Sequence, residues 1–182
     1  MLSEKEKDEF LQVARKTLEG YLSEGEMPDL RPAGGALTEP GGAFVTLHHR
    51  DGRLRGCIGR FEAPDPLYKT VQLMAVAAAT EDPRFPPVQS AELSNLHIEI
   101  SALSPRRPIE DVGEIIVGKH GLSVEKEFNR GCLLPQVATE ENWTREEFLS
   151  HTCLKAGLPP DSWKKGGMKI EVFEAEVFGE PR

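Results

Sequence analysis

Apolar and polar positions alternate along the chain with two different periods, and these separate predicted helices from predicted strands. In "SEKEKDEFLQVARKTLEGYL", Phe10, Ala14, Leu18 and Tyr21 recur at helical spacing, with Leu11 and Leu22 widening the stripe. Ser3 stands where an N-cap belongs, and Glu6 completes a capping box. "DPLYKTVQLMAVAAAT" predicts a second helix, capped by Asp65 with Pro66 at its first position. It is apolar nearly all round, which places it in the interior. A third helix over "TREEFLSHTCLKAGLPP" opens on a Thr144–Glu147 capping box and ends at Gly157 and the prolines. "HIEISAL" alternates as a strand, with Leu96, Ile98 and Ile100 on one face and His97, Glu99 and Ser101 on the other. "GKHGLSVEKEFNRGCLLP" reads as a turn, a strand, a turn at Asn129-Arg130-Gly131 and a second strand; "KIEVFEAEVF" reads as a closing strand by its β-branched and aromatic content. Helices and hairpins without regular βαβ alternation predict an α+β fold, an antiparallel sheet flanked by helices.

The strongest hairpin signal is "AFVTLHHRDGRLRGCIG". Asp51-Gly52 between alternating segments predicts a two-residue turn. That register sets His49 against Leu54, His48 against Arg55, Leu47 against Gly56, Thr46 against Cys57 and Val45 against Ile58. Val45, Leu47, Leu54 and Ile58 then share an apolar face, as a hairpin packed on a core requires. Thr46, His48, Arg53, Arg55 and Cys57 occupy the other. On this reading Cys57 lies two residues from a guanidinium, which stabilises a thiolate. His48 is its diagonal neighbour, about 7–8 Å away between α-carbons. Cys57 and, more weakly, His48 are therefore the catalytic candidates. A free cysteine is also a small hydrophobe that cores bury readily, and Arg55 could simply pair with Glu81 or Asp82. Both readings stay open at this point.

Composition narrows the classes. The 182 residues suit one domain, 1–182, with room for a smaller subdomain of hairpin and loop segments. A net charge of −8 disfavours a phosphate backbone as partner, so no nucleic acid is expected; a local basic patch can still hold a small anion. No apolar run approaches the roughly 20 residues that span a bilayer, and the charged start "MLSEKEKDEF" carries no signal-peptide pattern, so no membrane is expected and a cytoplasmic location is. Cys57, Cys132 and Cys153 are odd in number and far apart, which argues against a disulfide framework and against a structural metal site. Cys132 and Cys153 read as core. "TEDPRFPP" holds Glu81, Asp82 and Arg84 in a proline-stiffened loop that suits either a binding site or a helix stop. "GKHG" reads as a plain turn, and His97 and Glu99 as a solvated face.

At "LRGCIGRFEAPDPLYKTVQLMAVAAATEDPRFPPV" the chain resembles the AMME chromosomal region gene 1 protein family, also called AmmeMemoRadiSam system protein A. The match continues through "EISALSPRRPIED", "VGKHGLSV", "GCLLPQVA", "NWTREEFLSHTCLKAGLPPDSW" and "FEAEVFGE". The resemblance implies an α+β fold with a main antiparallel sheet, flanking helices and a smaller subdomain. It implies that Leu54–Gly59 line a functional site, and it carries over Arg55, Cys57, Asp82, Arg84 and, from "LLPQVA", Gln136 as site residues. It also implies a pathway shared with a Memo-like protein and a radical S-adenosylmethionine (radical SAM) protein. It names no reaction and no cofactor. Two functions follow as expectations: a binding or accessory protein with an anion pocket around Arg55 and Cys57, or an enzyme using Cys57 as thiolate nucleophile or covalent carrier.

Overall fold

The capping box at Ser3 forms: its hydroxyl accepts the Glu6 N–H while the Glu6 carboxylate accepts the Ser3 N–H, opening α1 (Glu4–Glu24). In the computed structural model, which describes residues 2–32 and 34–181, the chain divides into two compact units. One comprises Met1–Leu103 with Glu176–Arg182, the other Ser104–Ala175.

The first unit contains α1, β1 (Ala43–His49), β2 (Leu54–Arg60), α2 (Leu67–Thr80) and β3 (Leu96–Leu103). Its antiparallel strands run in the order β2-β1-β3, so β2 is the edge. The alternation seen in sequence becomes burial: Val45, Leu47, Ile98 and Ile100 are fully buried and pack with Phe10 and Leu18 of α1 and Val71 and Ala75 of α2. Each such side chain contributes about 1.5–3 kcal/mol by leaving water. The all-round apolar character of α2 is explained by its place in the core, where ten of its residues are buried. Its cap differs from the prediction. Pro66 is the N-cap and makes no side-chain cap bond, so neither Asp65 nor Pro66 has its expected place.

The second unit adds β4 (Arg107–Pro108), β5 (His120–Lys126), β6 (Asn129–Leu133), α3 (Pro135–Glu140), α4 (Arg145–Lys155) and β7 (Lys169–Gly179), the last strand leaving this unit after Ala175. The strand order is β4-β7-β5-β6, all antiparallel. Ile115, Leu122, Phe148, Leu149 and Val172 form its core. The Thr144–Glu147 capping box forms as predicted. The turn between β5 and β6 does not fall at Asn129-Arg130-Gly131: Lys126 pairs with Asn129, leaving Glu127-Phe128 as the loop. Six-residue α3, opened by Pro135, is too short to show a helical period and is found only in the structure. Cys153 is buried as expected, whereas Cys132 is only half-buried. The fold class is α+β, antiparallel strands with helices packed on them. No helix among the described residues is long and apolar enough to cross a membrane.

Candidate functional site

The hairpin that carries Cys57 departs from the predicted two-residue turn in two ways that cancel. The Gly52 N–H bonds to the His49 carbonyl and the His49 N–H to the Arg53 carbonyl. Arg50, Asp51 and Gly52 are therefore a three-residue loop, and Gly52 supplies the left-handed residue such loops need, at φ 87°. This moves His48 from Arg55 to Leu54. A bulge between Leu47 and His48 then takes up Arg55 as an extra residue, and the pairs Leu47–Gly56, Thr46–Cys57 and Val45–Ile58 fall where the sequence placed them.

The bulge corrects the expected pocket. Leu54 now shares a face with His48, and Arg55 is carried away from the Cys57 side. Its guanidinium, only 7% exposed, pairs with Glu92 in the 3-10 turn Ser90–Asn95 (Nε–Oε2 3.1 Å), not with Glu81 or Asp82. The Glu92 carboxylate is held below its usual range by the Gln89 N–H and by Arg55. Arg55 Nη1 is buried without a protein partner.

A different arginine stands beside Cys57. The Cys57 N–H points off the free edge of β2 and donates to Asp82 Oδ2 at 2.9 Å. Arg84 donates to the same carboxylate through its backbone N–H (3.1 Å), Nε (2.9 Å) and Nη2 (2.7 Å). The Asp82 side chain is 3% exposed and that of Arg84 55%. The Arg84 hydrogen bonds hold the Asp82 carboxyl far below the usual carboxylate range, against burial, with help from the Cys57 N–H. Arg84 is raised in turn, first by Asp82 and then, weakly, by the field of a Cys57 thiolate. The side chain takes two of the five guanidinium N–H donors to Asp82 and leaves three for another acceptor. The loop is stiffened at the end of α2 by the Phe85 N–H on the Asp82 carbonyl and the Val88 N–H on the Ala79 carbonyl. Gly56 allows α2 to close on β2: a Cβ there would strike the Ala78 carbonyl.

The Cys57 sulfur is half-buried and accepts from Thr46 Oγ1 at 3.2 Å, a neighbour implied by the register but not singled out from it. The thiol's partner is thus a hydroxyl and not an imidazole. His48 turns its Nε2 to Glu99 Oε1 (3.9 Å) and lines a cleft of about 480 Å³ with His97, Arg50 and Glu180. The structure therefore brings together Cys57, Asp82 and Arg84, with Thr46, and gives His48 other company. Gln136 belongs to the second unit, half-buried at the start of α3, where its carbonyl accepts from Thr139 Oγ1. His120 opens β5 buried, its Nδ1 accepting the Ile116 N–H at 3.2 Å, so "GKHG" is a turn that closes on itself. Among the described residues no group of three or more His, Cys, Asp or Glu could hold a metal ion.

These features define an α+β protein with a cysteine on an edge strand, tied through one buried carboxylate to a half-exposed arginine. Residues 11–178 match the family model AMMECR1. The chain is 46% identical over 184 residues to a protein of Methanopyrus kandleri (96% of this chain, 89% of that one). It is 47% identical over 188 residues to one of Thermococcus gammatolerans (94% and 89%). A crystal structure of an uncharacterized protein from Pyrococcus horikoshii superposes with a TM-score of 0.86 at 40% identity, covering 98% of this chain and 93% of that one. The chain belongs to the AMMECR1 family.

Proposed function

We propose that this chain is a cytoplasmic binding or accessory protein, acting with a Memo-like protein and a radical SAM protein, whose first unit grips a small anionic group beside Cys57. The observation that carries this reading is the Asp82–Arg84 pair. A buried carboxylate fixes a half-exposed guanidinium against the edge of β2 with three N–H donors unspent. A pre-positioned guanidinium recognises carboxylate or phosphate with little ordering cost. Arg55 supports the strand through Glu92, and Arg84 supplies the charge. Titration with inorganic phosphate and with a small dicarboxylate, followed by amide shifts at residues 56–59 and 82–85, tests it. Arg84→Ala should weaken binding at least about tenfold, the loss of roughly 1.4 kcal/mol, while Cys57→Ser leaves it intact. If Arg84→Ala is silent both in this titration and in a pull-down with the Memo-like protein, the reading fails.

A second reading makes Cys57 a thiolate nucleophile or covalent carrier. It is favoured by the Thr46 hydroxyl that donates to the sulfur and by the nearness of Arg84. It requires Cys57 to react with iodoacetamide faster than free cysteine at neutral pH, and Arg84→Ala to slow that reaction. Alkylation no faster than that of free cysteine removes it.

A further inference from the structure

β2 ends the strand order of the first unit, and its outer edge is capped only in part. In an antiparallel strand the N–H and C=O of one residue point to the same side, and that side alternates along the chain. The Cys57 N–H points outward to Asp82, so the Cys57 carbonyl and both backbone groups of Gly59 point outward too. Among the described residues none of these three groups has a hydrogen-bond partner. An edge left open in this way is a template for another strand.

Asp82 sets where such a strand must stop. Its Oδ2 accepts the Cys57 N–H at 2.9 Å and so takes the place of a pairing carbonyl, and the same oxygen accepts Arg84 Nη2 at 2.7 Å. A guanidinium with donors to spare therefore stands one carboxylate away from the last open backbone group. A strand added antiparallel to β2 runs with its C-terminal end toward Cys57, which brings a terminal carboxylate to Arg84; a parallel strand would bring its amino end there. Side chains of paired residues share a face. The last residue but two then lies beside Gly59, where the Phe44 ring covers the strand so closely that a Cβ on Gly59 would come within 2.2 Å of it. The last residue but one lies beside half-buried Ile58. Apolar side chains suit both places.

We propose that the anionic group gripped beside Cys57 is the C-terminal carboxylate of a short apolar peptide, which adds to β2 as a further antiparallel strand. This rests on the anion-binding reading above and names its ligand. The peptide's last residue donates its N–H to the Cys57 carbonyl, the residue two places earlier exchanges both backbone bonds with Gly59, and Arg84 donates to the carboxylate.

Titration of the full chain with acetyl-Thr-Val-Leu-Val as the free acid, followed by amide shifts and hydrogen exchange, tests it. Exchange at the Gly59 N–H should slow on saturation, and that at the already capped Cys57 N–H should change little. The C-terminal amide of the peptide, and separately the peptide N-methylated at its last residue, should each bind at least about tenfold more weakly. Arg84→Ala should reduce the free acid to the level of the amide. If phosphate and a dicarboxylate bind but the free acid binds no more tightly than its N-methylated form, the strand is excluded and the anion site stands. A free acid that binds no more tightly than the amide excludes the carboxylate and overturns the proposal. If neither the peptide nor the small anions bind, both readings fall. A Gly59 amide already protected in the free protein also overturns the proposal, because the edge is then covered.

Discussion

Asp82→Asn is the most informative single substitution, because one buried carboxylate serves both the strand edge and the arginine loop. The Asp82 side chain is 3% exposed and accepts four hydrogen bonds, from the Cys57 N–H and from the N–H, Nε and Nη2 of Arg84. An amide keeps the shape, but it has one acceptor oxygen and presents its NH₂ to donors. The bond from Cys57 is to a charged acceptor, worth about 1.5–3 kcal/mol. The Arg84 arm adds less than about 1 kcal/mol, since its head is half in water. A loss of about 1.5–4 kcal/mol follows, and at 2–4 °C per kcal/mol for a chain of this length the melting temperature should fall by roughly 3–16 °C. Arg84→Ala should cost under about 1 kcal/mol, as the water-exposed partner. The pH dependence has a definite sign. The folded carboxyl is held below its unfolded value near 3.8, so its contribution is complete above that value and fades as pH falls below it. Urea unfolding of wild type and Asp82→Asn at pH 7 and pH 3 should therefore differ more at the higher pH, and the Cys57 amide should exchange faster in the variant. Equal stability of the two proteins at pH 7, or an unchanged Cys57 amide, refutes the reasoning.

Gly56→Ala should destabilise by about 1–3 kcal/mol, because the new Cβ meets the Ala78 carbonyl and α2 has to move off the strand; a denaturation midpoint equal to wild type contradicts that packing. His120 is buried and held neutral, its pKa pushed down by burial, with Glu174 opposing and Lys119 and Arg107 adding to the shift. The unfolded chain then binds a proton below about pH 6.5 that the folded chain refuses, so stability should fall with acidification by up to about 1.4 kcal/mol per pH unit. His120→Gln should flatten that slope between pH 7.5 and 5.5 in urea unfolding.

Much of the fold could be read from side-chain periodicity. The capping boxes at Ser3 and Thr144, the buried helix α2 and the alternation of β3 depend on residues within a few positions of one another, and local interactions settle them. The candidate site was legible as a set of residue types, Cys57, Asp82 and Arg84, but not as a geometry. Thr46 was deducible from the register, whereas Glu92 was not, because only the packing of the Ser90–Asn95 turn brings it to Arg55.

The chain by itself determined that a hairpin would present Cys57 opposite Thr46, since a period of two leaves few registers that keep Val45 and Leu47 in the core. Which arginine serves that cysteine was decided only in three dimensions. A loop one residue longer and a bulge one residue later have offsetting effects on the pairing yet turn Arg55 to Glu92, while the end of α2 brings Asp82 and Arg84 to the strand edge. Strand register is a local count of residues, but the destination of a bulged side chain depends on what the rest of the fold packs beside it.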